Sequence, residues 1–119
     1  MKKLLVLVLL IQIQFINSQK ILKDYPLSNT IEETSGLEII DNMLITHNDS
    51  GGEPALYYLN KKGEIVETRK IKGVKNNDWE DVTKDDEFIY VANMGNNFDT
   101  RKNLSIIKIP IKKSLNETV

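Results

Sequence analysis

Short apolar runs alternate with clusters of turn-forming polar residues from residue 35 onwards. The runs are rich in β-branched and aromatic side chains, which favours strands. No segment keeps an apolar period of 3.6 over the ten or more residues that a helix needs. The pattern therefore predicts an all-β fold with strands at residues 35–40, 43–46, 55–60, 65–71, 80–84, 88–93 and 104–110. Short strands at regular spacing are typical of sandwiches, barrels and propellers.

An internal repeat separates these three architectures. At an offset of 45 residues, Leu37 aligns with Val82 and Asp41 with Asp86, and each half gives strand, acidic turn, strand, Asn/Gly-rich loop, strand. A period of about 40–50 residues with four strands per unit predicts a β-propeller. The alternative is a coincidence between two β-rich segments.

The repeat predicts a propeller fragment of about two four-stranded antiparallel blades, the second incomplete. Blade 1 spans residues 35–78 and the partial blade 2 spans residues 79–119. Residues 19–34 form an N-terminal segment that holds a candidate ring-closing strand. Because propellers close with about 4–8 blades, we expect the remaining blades to be missing from this chain.

The first 18 residues have the pattern of a secretory signal peptide. Lys2 and Lys3 precede an apolar run over residues 4–10, and Ser18 supplies a small residue at the predicted cleavage site. The alternative is a membrane anchor, but the run is short for a span and is broken by Gln12 and Gln14. We therefore expect a secreted or cell-surface protein with no stable membrane span after cleavage.

Composition excludes several classes of function. The chain has no cysteine, which rules out thiol catalysis and cysteine-type zinc sites. Its net charge is -1, and loss of Lys2 and Lys3 with the signal peptide would make it -3. No basic surface is evident, so no nucleic-acid partner is expected.

Strand order predicts where the polar motifs lie. In an antiparallel blade, the turn after the second strand and the connection into the next blade lie at one end of the sheets. Residues 47–53, 75–81 and 93–101, which hold most of the unusual polar chemistry, fall in these connections. The plain turns at residues 41–42, 61–63 and 85–86 fall at the opposite end.

Acidic side chains in these connections are candidate metal ligands. Asp49, Asp78, Glu80 and Asp81 supply carboxylate oxygens, and neighbouring asparagines supply amide oxygens. Calcium takes 6–8 oxygen ligands, so calcium is the cofactor that this set favours. The alternative is that Asp, Asn and Gly are here as turn formers.

A small polar ligand or a surface glycan is the partner that the same loops predict. The candidate binding residues are Asn48, Asp49, Trp79, Asn96 and Arg101. Trp79 could stack on a sugar ring or lie in the core with its indole N–H bonded. Arg101 could pair with an anionic ligand or form a salt bridge with a nearby acid.

Candidates for acid–base catalysis are Glu80, Asp81 and His47. His47 is the only histidine and has an ordinary pKa suited to a general base. It could equally bond a backbone group at a strand end. Ser50 lacks the sequence and the strand-to-helix context of a nucleophile elbow, so a serine hydrolase is not expected.

The motifs resemble those of a family of secreted or surface bacterial β-propellers, mostly of unknown function. The similarity covers approximately residues 33–110 and is carried by residues 35–37 (SGL), 47–52 (HNDSGG), 76–81 (NNDWED), 93–97 (NMGNN) and by Arg101. Asn93 stands where that family usually has an acid. The family is broadly similar to phytase-like and strictosidine-synthase-like propellers, which implies a hydrolase as an alternative.

Three functions follow as expectations. The first is a secreted binding module that holds calcium or a small polar ligand on the motif-bearing end. The second is a metal-assisted hydrolase, such as a phosphoesterase, that uses the same residues. The third is a structural or surface interaction protein in which the loops only shape the fold.

Overall fold

A computed structural model describes residues 19–112. The predicted signal peptide, residues 1–18, and residues 113–119 lie outside the described residues. These residues contain no helix. Among them there is therefore no helix long and apolar enough to cross a membrane.

Seven strands form two antiparallel sheets. Sheet 1 has the order β1-β2-β3-β4 and sheet 2 the order β5-β6-β7. The strands are β1 Thr34–Ile40, β2 Met43–Asn48, β3 Ala55–Leu59, β4 Ile65–Lys70, β5 Asp81–Lys84, β6 Phe88–Asn93 and β7 Ser105–Pro110. All seven predicted strands are present with bounds within two residues, so the all-β prediction is confirmed. Neither sheet closes into a barrel.

Residues 19–33 contain no strand, although a ring-closing strand is predicted there. Such a strand would pair only with a further sheet, so its formation stays a prediction. The later part of the segment instead lies against sheet 1, where Ile31 is buried and the side chains of Tyr25 and Leu27 are partly exposed.

The turn between β1 and β2 is set by two residues that tolerate left-handed backbone. Asp41 has a φ of 48° and Asn42 a φ of 64°. Two consecutive positive φ values match the twist of a two-residue hairpin, and Asp and Asn adopt them more readily than other residues with a side chain. The turn fixes the register, with Ile40 opposite Met43.

The main core lies between the two sheets. Ile45 and Leu56 from sheet 1 pack with Ile89 and Val91 from sheet 2, and all four are fully buried or nearly so. Trp79, in the connection between the sheets, joins the same core. Each large apolar side chain buried in this way stabilises the fold by about 1.5–3 kcal/mol.

The opposite face of sheet 1 carries a second, smaller apolar cluster. Ala55, Tyr57 and Leu59 of β3 pack there with Ile31. All five residues of β3 are buried, because one side of the strand faces sheet 2 and the other faces this cluster. Sheet 1 is therefore apolar on both faces.

The first strands of the two sheets lie side by side. The Ser35 hydroxyl donates to the carbonyl of Trp79 at 2.8 Å, and Thr83 Oγ1 donates to Glu38 Oε2 at 3.3 Å. These contacts bring the loops that follow β2, β4 and β6 to a common end of the two sheets.

Candidate functional site

Three loops meet at one end of the sheets, which we call the motif end. They comprise residues 49–54 after β2, 71–80 after β4 and 94–104 after β6. Backbone hydrogen bonds tie them together: Trp79 N–H donates to the Asp49 carbonyl at 2.7 Å, and Gly95 N–H donates to the Asp78 carbonyl at 3.1 Å. The structure thus places the predicted motif loops together.

Three carboxylates converge at the motif end. Asp49, Asp78 and Glu80 each offer an oxygen atom that lies within 4.8 Å of the other two, and we call these residues the acid cluster. Asp49 and Asp78 are half-buried, whereas Glu80 is exposed. The structure therefore groups three of the four acids that the sequence predicts as metal ligands.

Asp81, the fourth predicted ligand, is not part of this group. It begins β5, and its Oδ1 accepts a hydrogen bond from the Val82 N–H at 2.8 Å. Its side chain is exposed. Because strand side chains alternate in direction, Asp81 points away from the core face that Val82 occupies.

Because Gly95 has no side chain, the acid cluster can pack against its backbone. A Cβ atom at this position would overlap the Asp78 carboxyl and Glu80 Oε1. The φ of Gly95 is not positive, so the glycine is required for close approach and not for its backbone conformation. The sequence gives no sign of this packing beyond the glycine itself.

The surroundings of Asp49 disfavour its charge. Burial raises the pKa of the Asp49 carboxyl, and a hydrogen bond with the Asp78 side chain and repulsion from the charges of Asp78, Glu80 and Glu33 raise it further. Each of these effects penalises the ionised form. A cation between the carboxylates would oppose the repulsion.

Three buried side-chain oxygen atoms in or next to the motif loops have no hydrogen-bond donor among the described residues. They belong to the side chains of Asn48, Asp49 and Asn76, and each is Oδ1. The amide nitrogens of the asparagines are used: Asn76 Nδ2 donates to the Asn48 carbonyl at 2.8 Å and Asn48 Nδ2 donates to the Thr30 carbonyl at 3.0 Å. Buried acceptors normally have a partner, so these three point to a water or an ion.

His47 lies beneath the loops and is fully buried. Its Nδ1 donates to the Asn48 carbonyl at 3.0 Å, whereas Nε2 is buried and has no hydrogen-bond partner of ordinary geometry among the described residues. Burial lowers the pKa of the imidazole. A Cβ atom at Gly36 would lie 2.7 Å from Nε2, so this glycine makes room for the ring.

Trp79 is fully buried, and its indole Nε1 has no acceptor among the described residues. The His47 ring meets it edge-on, with 5.7 Å between ring centroids. The indole presents no face to solvent on which a sugar could stack. Trp79 instead anchors the segment that carries Asp78 and Glu80, its two neighbours in the chain.

Arg101 and Asn96 shape the loop after β6. The Arg101 guanidinium donates to the Gly95 carbonyl at 2.5 Å and to Asn93 Oδ1 at 3.2 Å. Asn96 Oδ1 accepts the Arg101 backbone N–H at 2.8 Å. Within the described residues Arg101 thus bonds carbonyl and amide oxygens, and the predicted salt bridge to an acid is not formed.

Comparison with protein-family models, with curated proteins and with solved structures finds no match for the chain.

Proposed function

We propose that the chain is an exported binding module of the β-propeller type whose motif end holds calcium through the acid cluster. The observation that carries the proposal is the meeting of three carboxylates from two loops around Asp49, whose Oδ1 is buried and has no donor in the described chain. The bound ion would in turn present open coordination positions to a small polar ligand.

The arrangement of strands supports the propeller assignment. An offset of 45 residues maps β2, Met43–Asn48, onto the residues of β6, Phe88–Asn93, and maps most of β1 onto β5. Each sheet is an antiparallel meander, and the two sheets pack face to face with their first strands adjacent. These are properties that neighbouring propeller blades share.

The three carboxylates of the acid cluster are close enough to one another for a shared cation. Calcium binds oxygen at about 2.3–2.6 Å, so two ligands on opposite sides of one ion lie roughly 4.8 Å apart. The oxygens of Asp49, Asp78 and Glu80 lie within 4.8 Å of one another. The three carboxylates are therefore near enough to share one ion if their side chains close around it.

The donor set also distinguishes among metals. The carboxylates of Asp49, Asp78 and Glu80 are hard oxygen ligands, which calcium prefers, whereas zinc and copper favour nitrogen and sulfur ligands. The imidazole of His47 is buried beneath the loops and is not part of the group. With three carboxylates, one of them exposed, we expect a dissociation constant of about 10⁻⁴–10⁻³ M, as in extracellular calcium modules.

Export is part of the same proposal. The pattern of residues 1–18 supports a cleaved leader that would deliver the chain to a compartment where calcium is abundant. Expression in a bacterial host followed by amino-terminal sequencing of the exported product tests this step. The expected first residue is Gln19; a product that retains Met1 in the membrane fraction would overturn it.

Thermal unfolding in calcium and in chelator tests the binding. At roughly ten times the dissociation constant, calcium raises the free energy of unfolding by about 1.4 kcal/mol, which shifts the Tm by about 5–10 °C. The Asp49→Asn variant should lose the shift. Asp86→Asn, in the exposed turn at the opposite end, should keep it and serves as the matched control.

Two outcomes would change the proposal. If calcium leaves the Tm of the unaltered chain unchanged, the loops only shape the fold and the proposed calcium site is absent. If a panel of phosphoesters is turned over with calcium and turnover is lost in Glu80→Gln, the acid cluster belongs to a metal-assisted hydrolase.

A further inference from the structure

The two sheets differ by one strand. Sheet 1 has four strands and ends at β4, whereas sheet 2 has three, so β7 is an edge strand among the described residues. An edge strand presents unpaired backbone N–H and C=O groups on one side and is a template for a further strand. In sheet 1, β4 pairs with the third strand, β3. In sheet 2, the described residues include no strand that pairs with the outer edge of the third strand, β7.

Residues 20–25 stand where the repeat places a fourth strand. An offset of 45 maps β4, Ile65–Lys70, onto these residues, and it maps the connection 71–80 onto residues 26–35. The segment forms no strand here, and its apolar residues Ile21 and Leu22 are 80% and 92% exposed. The repeat therefore predicts a strand at residues 20–25, but no neighbouring strand in the described chain pairs with them.

The outer face of sheet 1 is equivalent, by the repeat, to the face of sheet 2 that packs on sheet 1. Val82, Ile89 and Val91 are among the residues with which sheet 2 packs on sheet 1. Their equivalents one repeat earlier include Leu37 and Leu44, which line an open pocket of about 350 Å³ on the outer face of sheet 1. Leu37 is 63% exposed, so no sheet covers this part of the face in the described chain, although Tyr25 and Leu27 of the same chain also line the pocket.

We propose that copies of the chain associate head to tail, with residues 20–25 of one copy added as the fourth strand beside β7 of another. The same contact lays sheet 2 of the second copy over the outer face of sheet 1 of the first. The packing between sheets 1 and 2 within one chain is thereby repeated between copies. Such head-to-tail contacts form rings when the rotation closes. The proposal does not depend on calcium binding.

The repeat also fixes the register of the added strand. Tyr90 in sheet 2 is equivalent to Ile45 in sheet 1. Lys108 lies opposite Tyr90, and Tyr58 lies opposite Ile45, so Lys108 is equivalent to Tyr58. Tyr58 pairs with Glu67 of β4, and the equivalent of Glu67 one repeat earlier is Leu22. Leu22 of one copy therefore lies opposite Lys108 of the other.

Sedimentation velocity over a roughly hundredfold range of protein concentration tests the association. The purified protein should form species larger than a monomer. Successive N–H groups of a strand point to opposite sides, so the double variant Ile21→Pro, Leu22→Pro must remove a bond of the new ladder. We expect it to weaken association at least tenfold and to leave the Tm of the monomer unchanged, since both side chains are exposed there.

Phe98→Ser provides the matched control. Phe98 is 87% exposed in the loop after β6 and lies outside the proposed contact. Its replacement removes a large exposed apolar side chain outside the contact and should leave association unchanged. A protein that stays monomeric at every concentration, or a proline variant that associates like the unaltered chain, would overturn the proposal.

Crosslinking tests the register. The chain has no cysteine, so single-cysteine variants react at one place only. A short bis-maleimide should join a mixture of Leu22→Cys and Lys108→Cys into a dimer, and should not join Phe98→Cys with Lys108→Cys. If the double variant Leu22→Cys, Lys108→Cys instead crosslinks within a monomer at high dilution, the segment completes its own sheet 2 and self-association is contradicted.

Discussion

The backbone N–H of Trp79 donates to the carbonyl of Asp49 at 2.7 Å. This bond joins the loop after β2 to the connection between the sheets at the residue that centres the acid cluster. Because the Trp79 ring is fully buried in the core, the bond holds Asp78 and Glu80 at a fixed distance from Asp49. The geometry of the cluster thus derives from the packing of the two sheets.

Asp49 should destabilise the chain in the absence of a cation. Its raised pKa means that the folded state holds the proton more tightly than the unfolded chain does. The free energy of unfolding therefore falls as the pH rises from below the unfolded pKa, about 3.9, through the folded pKa. In chelator near neutral pH, we expect Asp49→Asn to melt a few degrees above the unaltered chain, as measured by circular dichroism.

The opposite order is expected with calcium. The unaltered chain gains stability from the ion and Asp49→Asn does not, so the two melting curves should exchange places. An Asp49→Asn variant that is less stable than the unaltered chain in chelator would show that the carboxylate has a structural role here and that repulsion is not the dominant effect.

Replacing Gly95 should disturb the site more than the fold. A Cβ at this position would overlap only the ends of the Asp78 and Glu80 side chains, which can move aside. The carboxylates would then lose their spacing, and we expect Gly95→Ala to weaken calcium binding by roughly tenfold or more in isothermal titration. Gly52→Ala is the control, because its Cβ would meet only ordinary contacts at 3.7 Å. Equal losses in both variants would contradict the account.

Asp85 should stabilise the β5–β6 hairpin in its charged form. Its carboxylate accepts hydrogen bonds from Tyr90 OH at 2.7 Å and from the N–H groups of Glu87 and Phe88. These bonds, that of Tyr90 first, lower the pKa of Asp85. The stabilisation is present above the unfolded pKa and is lost as the pH falls through the lower, folded pKa.

Asp85→Ala should therefore lower the Tm at neutral pH by a few degrees and lose less stability on acidification than the unaltered chain between pH 5 and 2, roughly. Thermal melts across that range provide the measurement. Asp86→Ala, which changes the neighbouring residue of the same turn, should behave like the unaltered chain. Parallel pH curves for Asp85→Ala and the unaltered chain would disprove the assignment.

Most of the fold was predictable from the alternation of strands and turns. Seven apolar runs became seven strands because each is bounded by residues that tolerate tight turns, as at Asp41 and Asn42. The conformation of residues 19–33 was not predictable in the same way. A strand forms only beside a partner, and an apolar pattern such as that of Ile21 and Leu22 does not state where the partner is.

The site was predictable in its location and less so in its detail. Strand order alone places Asp49, Asp78 and Glu80 at one end, because consecutive antiparallel strands alternate the end at which they connect. It does not give the direction of a side chain at a strand boundary, which is why Asp81 was grouped with them. Nor does it reveal that Gly95 is needed for its missing Cβ, since a glycine in a loop usually serves the backbone.

Terbium luminescence tests the central claim most directly. Tb³⁺ takes oxygen ligands as calcium does, and the only tryptophan, Trp79, lies between two residues of the acid cluster. Excitation of the indole should produce terbium emission that saturates, that calcium reverses by competition, and that is lost in Asp49→Asn and retained in Asp86→Asn. Emission that is absent, or that is the same in Asp49→Asn as in the unaltered chain, would contradict the account.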